Sequence, residues 1–291
     1  MNKDLPLRAL GTSTLMVSAP SFGAMRLSTA GRPDRSTARQ VLRAALDAGV
    51  TMIDTSDAYG LDSADCGHNE YLIAETLCDA GNPDWVLVAT KGGVKRPGGA
   101  WEPDGRPEAI RSACENSLRR LRTETLGLYY LQKPDSRVPI EDSVGALADL
   151  RRAGKVRFVG LSNVSLNQLQ AAMAEVTVTA VQNRFSVLYQ VDLDNGTIPF
   201  CARNDIAYVV ANPVGGRNRN HLIPRVPVIA EIAARLGATP HAVALSWLCS
   251  ISDNTIPLIG ATRLESLLDG LSSTHLQMSP NETAAIRAMS G

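Results

Sequence analysis

Eight short apolar segments alternate with amphipathic stretches, no early segment is followed by a GxGxxG turn, and polar residues gather at segment ends. Together these observations predict an α/β fold: a (β/α)8 TIM barrel forming a single domain over residues 1–291, entered through a short N-terminal β-hairpin. A doubly wound open sheet has the same alternation, but few open sheets use eight units and the dinucleotide turn it would need is missing.

The hairpin-like start lies around Gly11. Strands are predicted at 19–23, 51–54, 86–90, 126–131, 156–161, 180–182, 206–210 and 255–259, short and rich in Val, Ile and Leu as strands covered on both faces must be. Between them Ala38, Val41, Leu42 and Ala45 fall at i, i+3, i+4 and i+7, and Leu264, Leu267, Leu268 and Leu271 repeat the spacing, so each stretch lays one apolar stripe on the barrel. Gly49 and Gly154 are placed for the left-handed position after a helix, and Pro107 for a first helical turn. No linker composition divides the chain, and 213–220 reads as a functional loop.

Composition excludes several partners. Lys plus Arg equals Asp plus Glu at 29 each, so no overall one-signed charge attracts nucleic acid or an anionic membrane. No apolar run approaches the roughly 20 residues of a membrane span, and the start MNKDLPLRAL has no signal-peptide core, so the expected location is cytoplasmic. The cysteines, Cys66, Cys78, Cys114, Cys201 and Cys249, are odd in number and scattered, without CxxC or a Cys/His cluster. They read as reduced thiols and offer no metal site. Cys78, Cys114 and Cys249 read as buried helical residues, while Cys66, in a polar loop, is left open.

Asp54 ends the second strand in TMIDTSDAYG, Tyr59 follows in the same loop, and Lys91 ends the third strand in VLVATKGG. Singly, Asp54 also fits a turn cap, Tyr59 a partly buried ring and Lys91 a solvated cation. Jointly they fit a proton donor (Tyr59), an ammonium that favours its anion (Lys91) and a carboxylate that orients the ammonium (Asp54).

The segments IDTSDAYG, GHNEYLIAETL, VATKGG, RRAGKVRFVGLSNVS and VQNRFSVL, in this order, resemble the aldo-keto reductase superfamily from about Leu10 to about Leu271. The resemblance implies a (β/α)8 barrel with NADP(H) extended over its C-terminal mouth. It assigns Asp54, Tyr59 and Lys91 to three places of a catalytic tetrad. At the fourth, where the family usually has histidine, this chain has Gln132, and its histidines lie elsewhere, at His68, His221, His241 and His275. Gln132 can donate a hydrogen bond but carries neither a titrating proton nor a charge.

The same resemblance assigns Ser162, Asn163 and Gln182 to the nicotinamide carboxamide. Pro213, Val214, Gly215 and Gly216 are assigned to the pyrophosphate through backbone amides, and Gly260, Ala261, Thr262 and Arg263 to the adenosine 2′-phosphate at a helix start. Where the family usually stacks a Tyr or Trp on the nicotinamide the chain has Ala211. Trp101, in the long loop KRPGGAWEPDGRP, and Met25 and Arg26 after the first strand are expected to wall the substrate pocket; Trp101 fits equally a ring packed on its own loop.

The leading expectation is NADPH-dependent reduction of an aldehyde or ketone to an alcohol, the partner being a small-molecule carbonyl or alcohol. Gln132 and Ala211 leave two others open: redox-neutral acid/base chemistry, such as dehydration or epimerisation, and a nicotinamide-nucleotide-binding regulatory protein with poor turnover.

Overall fold

The computed structural model describes residues 5–289. Strands β1 (Leu7–Ala9) and β2 (Met16–Ser18) form the antiparallel hairpin the sequence predicts. Barrel strands β3 (Ser21–Gly23), β4 (Met52–Asp54) and β5 (Leu87–Gly92) follow, and β5 leads into a two-stranded ribbon, β6 (Val94–Lys95) with β7 (Glu102–Pro103). The remaining barrel strands are β8 (Leu126–Leu131), β9 (Val156–Ser162), β10 (Val178–Arg184), β11 (Ala207–Ala211) and β12 (Thr255–Ile259). The eight barrel strands close in the order β10, β11, β12, β3, β4, β5, β8, β9, and every neighbouring pair is parallel.

Helices α1 (Arg35–Asp47), α2 (His68–Asp79), α3 (Pro107–Leu121), α4 (Ile140–Arg152) and α5 (Leu166–Met173) cross between successive strands. Two short helices, α6 (Val191–Asp194) and α7 (Thr197–Arg203), share the next crossing. Helices α8 (Pro227–Leu236) and α9 (Pro240–Ser250) precede β12, and α10 (Leu264–Ser272) and α11 (Pro280–Arg287) follow it. The predicted stops hold: Gly49 and Gly154 have φ of 90° and 73°, and Pro107 opens α3.

Two cores result. Side chains alternate across each strand, so every second residue points to the barrel axis. Met52, Ala89, Leu128, Tyr130, Ala180, Ala207, Val209, Ile256 and Leu258 fill the interior, with Leu10, Val17 and Ala19 closing the end under the hairpin. The outward residues meet the helices, and the stripe Ala38, Val41, Leu42 and Ala45 is buried throughout. In α10 the stripe is shorter than predicted. Leu267 and Leu271 are buried, but Leu264, at the first helical position, is 46% exposed. Cys78 also departs from expectation: the buried face of α2 runs through Leu72, Ile73 and Thr76 and leaves Cys78 outside. Cys114 and Cys201 are buried and Cys249 half-buried.

Strands β5, β9 and β10 run further toward the mouth than their apolar segments predict. Lys91, Ser162, Gln182 and Arg184 are polar yet stay in the ladder, Lys91 opposite Tyr130 and Arg184 opposite Ala211. Among the described residues no single helix is long and apolar enough to cross a membrane. The apolar run of α8 and α9 bends by 98° between them, and α9 is buried along most of its length against the barrel.

Candidate active site

The two-residue period that packs the interior also builds the mouth. Asp54 stands two residues beyond Met52, Lys91 two beyond Ala89, Gln182 two beyond Ala180 and Ala211 two beyond Val209, all interior positions. Gln132 likewise follows Tyr130, and Gly260 follows Leu258. Each therefore faces the axis one layer above the core, at the C-terminal ends of the strands where barrel enzymes carry their chemistry.

Lys91 organises the floor. It is 1% exposed, and its Nζ donates to Asp54 Oδ1 at 2.6 Å, Thr55 O at 2.7 Å and Tyr59 Oη at 3.0 Å. The ammonium's three protons thus have three acceptors. Asp54 accepts a second hydrogen bond from Gln182 Nε2 at 2.7 Å; burial pushes its carboxyl up, and Lys91 first, then Gln182, act against that rise. Burial pulls the Lys91 ammonium down, but Asp54 and Tyr59 outweigh it and hold the group above its ordinary value.

For Tyr59 the balance differs from the sequence expectation. Lys91 does favour the phenolate, yet burial of the hydroxyl is the larger effect and raises it above the ordinary tyrosine value. Tyr59 is therefore a protonated donor at neutral pH whose anion has an ammonium waiting 3.0 Å away.

Above this floor lies a cavity of about 430 Å³. Met25, Arg26, Asp54, Tyr59, Lys91, Trp101 and Gln132 line it, with Ser162, Asn163, Gln182, Ala211, Pro213, Val214, Gly216, Gly260, Thr262 and Arg263. Trp101 both lines the cavity and packs on its own loop: it meets Tyr59 edge-on at 6.1 Å, and the Arg96 guanidinium of its loop covers its ring at 3.7 Å. None of the four histidines lines the cavity. Cys66 is half-buried beside the site, and burial together with Asp57 raises its thiol, so it stays protonated. A larger groove along α1, about 760 Å³, has none of these residues, and its Arg35, Arg39 and Arg43 are already paired with Glu75, Asp79 and Asp47.

Two assigned residues do not reach the cavity. Gly215 is buried and its N–H donates to Asn212 O at 2.8 Å, closing the turn rather than facing a ligand. Ala261 is 2% exposed and belongs to the outer apolar core beneath the start of α10. The amide of Gly216, with φ of 67°, remains at the cavity wall.

The hydrogen-bonding groups left over at the mouth form a recognisable set. Asn163 spends Nδ2 on Gln132 O at 2.9 Å and Ser162 Oγ at 3.0 Å, and Gln182 spends Nε2 on Asp54. What remains is two amide oxygens as acceptors, with the Ser162 proton and the second Gln182 Nε2 proton as donors. That pattern complements a primary carboxamide, with two N–H donors and one carbonyl acceptor. Nearby, Arg26, Arg184, Arg217 and Arg263 line the same cavity, and its one lining carboxylate, Asp54, is already paired. A phosphate-bearing dinucleotide fits both halves of this surface.

Arg184, Arg217, Asn212, Asn220 and Ser266 line the cavity without having been singled out from the sequence. The signals were present: Arg184 lies two residues beyond Gln182 on the same strand face, and Arg217 directly follows the Gly215–Gly216 pair.

Comparison with solved structures returns the same architecture. The thermostable aldo-keto reductase Tm1743, solved with the inhibitor epalrestat, aligns with a TM-score of 0.84 and 24% identity over 98% of this chain and 99% of its own. The glycerol dehydrogenase AKR11B4 from Gluconobacter oxydans aligns at 0.82 and 23% identity, covering 99% and 95%. An aldo/keto reductase from Klebsiella pneumoniae, in complex with NADP and acetate, aligns at 0.78 and 23% identity, covering 97% and 94%. These likenesses concern the fold. The model of the aldo/keto reductase family matches residues 21–290, nearly the whole chain, and the chain belongs to that family.

Proposed function

We propose that the protein is an NADPH-dependent oxidoreductase that reduces a small aldehyde or ketone to an alcohol, acting in the cytoplasm on small molecules rather than on nucleic acid or membranes. The observation that carries this reading is the buried Lys91 ammonium bound at once to Asp54, Thr55 O and Tyr59 Oη on the floor of the cavity. Reported structures of relatives support the cofactor, one of them holding NADP.

When bound, the reduced nicotinamide supplies the hydride. Ser162, Asn163 and Gln182 would hold its carboxamide, Pro213, Val214, Gly216 and Arg217 its pyrophosphate, and Thr262 and Arg263 the 2′-phosphate. Tyr59 donates its proton to the carbonyl oxygen as charge develops there, and Lys91 stabilises the phenolate left behind. Asp54 keeps Lys91 charged and aimed. Gln132 Nε2, which has no partner among the described residues, supplies the second hydrogen bond to the same oxygen. Trp101 covers Tyr59 and limits water.

The test uses purified protein, NADPH and a panel of aldehydes and ketones, with cofactor binding followed by fluorescence and turnover by absorbance of the reduced nicotinamide. Tyr59→Phe is expected to bind NADPH as the native protein does and to lose about 10²–10⁴ in turnover. Tight NADPH binding with no turnover on any carbonyl would favour the regulatory reading that Gln132 and Ala211 left open. No binding would remove the cofactor assignment altogether.

A further inference from the structure

A side-chain amide is nearly symmetrical in shape, so whether Gln132 presents its nitrogen or its oxygen to the cavity is decided by what holds its other end. That end meets Ser56. Ser56 Oγ and Gln132 Oε1 are 2.6 Å apart, both residues are buried, and the contact bridges the loop after β4 to the end of β8.

We infer that Ser56 is a positioning residue: its hydroxyl clamps Gln132 Oε1 and thereby commits the Gln132 amide nitrogen to the cavity as a fixed hydrogen-bond donor. The inference rests on the carbonyl-reduction reading only for the identity of the group that receives this donor.

Three observations converge. Ala58 N–H donates to Ser56 Oγ at 3.0 Å, so one oxygen lone pair is occupied and the single hydroxyl proton is left to seek an acceptor. Two acceptors are in range, Gln132 Oε1 at 2.6 Å and Asp57 Oδ1 at 3.3 Å, and the shorter contact takes the proton. The 2.6 Å separation also sits within the usual range for O–H···O, whereas an amide N–H···O contact is ordinarily longer, so it fits the oxygen of Gln132 and not its nitrogen.

The rest of Gln132 is equally determined. Its backbone N–H donates to Gly92 O at 2.9 Å and its carbonyl accepts from Asn163 Nδ2 at 2.9 Å. With backbone and Oε1 engaged, Nε2 is the one polar group of the residue without a partner among the described residues, and the residue lines the cavity with Tyr59. Ser56 and Tyr59 belong to one turn, stabilised by Ala58 N–H on Ser56 Oγ and Tyr59 N–H on Ser56 O. The same turn therefore supplies the proton donor and orients the neutral donor beside it. Released from Ser56, the amide would also sample the flipped state, turning an acceptor oxygen toward a developing oxyanion.

The hydroxyl is isolated by comparing Ser56→Thr with Ser56→Val, which are alike in shape and differ in the hydroxyl, with Ser56→Ala alongside. In ¹⁵N-labelled protein the Gln132 side-chain NH₂ pair, assigned by its loss in Gln132→Leu, should keep its position in Ser56→Thr and shift or broaden in Ser56→Val and Ser56→Ala. With NADPH and a carbonyl substrate, Ser56→Val should be slower than Ser56→Thr in kcat by roughly tenfold, at unchanged NADPH affinity. In a Gln132→Leu background the Thr/Val difference should vanish. An NH₂ pair indifferent to the hydroxyl, or an equal rate cost with and without the Gln132 amide, overturns the inference. Should the native protein reduce no carbonyl, the functional reading fails alone, because the NH₂ resonances still decide whether Ser56 orients Gln132.

Discussion

Lys91 stands among three acceptors and almost no water, so its removal leaves a stranded charge. Lys91→Met is expected to lower stability by about 3–5 kcal/mol, read by denaturant unfolding, because Asp54 would remain buried with only Gln182 to satisfy it. Adding Asp54→Asn should recover much of that loss without recovering turnover, which separates the cost of the stranded carboxylate from the chemistry. The neutral residue at position 132 makes a second expectation. Tyr59 and Lys91 both titrate above their ordinary values, and Gln132 does not titrate, so none of these three should add a limb to kcat between about pH 6 and 9. Gln132→His introduces a group that titrates near pH 6.5 and should add a limb there, with the faster rate on the acid side where the imidazolium donates. Asp54, Tyr59 and Lys91 were legible in the sequence because strand ends and family motifs fix them. Ser56 was not, since its role depends on a contact with Gln132 across 76 positions.

At the level of the elements, spacing along single strands explains the site and also its weak points. Gly160, on β9, faces the ring of Tyr130 on β8, where an added Cβ would lie 2.4 Å from the ring carbons. Gly160→Ala must displace Tyr130, whose ring lies 5.8 Å from Lys91 Nζ, and is expected to cost about 1–3 kcal/mol together with much of the turnover. The loop from β4 to α2 contains a different liability. Burial and the neighbouring Glu70 carboxyl push Asp57 up to about 8 from 3.8, with Arg120 acting against them. Between those values the folded chain holds a proton that the unfolded chain releases, so this group's contribution to stability falls as pH rises from about 4 to about 8 and is level beyond. Asp57→Asn should match the native protein near pH 4 and exceed it at pH 8.5 in thermal or urea unfolding; an unchanged difference across that range would show that Asp57 is ionised in the fold. Apolar periodicity predicted to within a residue where β5 and β9 begin and missed where β5, β9 and β10 end, because Lys91, Ser162 and Arg184 satisfy the ladder with their backbones while their side chains line the mouth. It could not predict the β6–β7 ribbon, two residues on each side and too short for any period.

Across the whole molecule the charges cancel at 29 against 29, and that balance conceals a local field. Elsewhere many acidic residues pair with basic ones, as in Asp104 with Arg106 and Glu282 with Arg235, whereas the mouth brings together Arg26, Arg184, Arg217 and Arg263 around a carboxylate that Lys91 already pairs. Burial, and after it the nearby Arg217 guanidinium, lower Arg26 from its ordinary value, as expected of a surface awaiting an anion. Net charge could not reveal this because it sums over surfaces that face different ways. Arg263 sits at the N-cap of α10 and its side chain makes no hydrogen bond or ion pair among the described residues, so its guanidinium is available to a phosphate at the helix start. Arg263→Ala should therefore weaken NADPH binding by roughly tenfold and leave NADH binding nearly unchanged, measured by the fluorescence of the bound reduced nicotinamide. Raising ionic strength from about 0.05 to 0.5 M should likewise weaken NADPH more than NADH in the native protein, and this extra sensitivity should shrink in the variant. An equal loss of both cofactors in Arg263→Ala would instead place the guanidinium on the part of the dinucleotide they share.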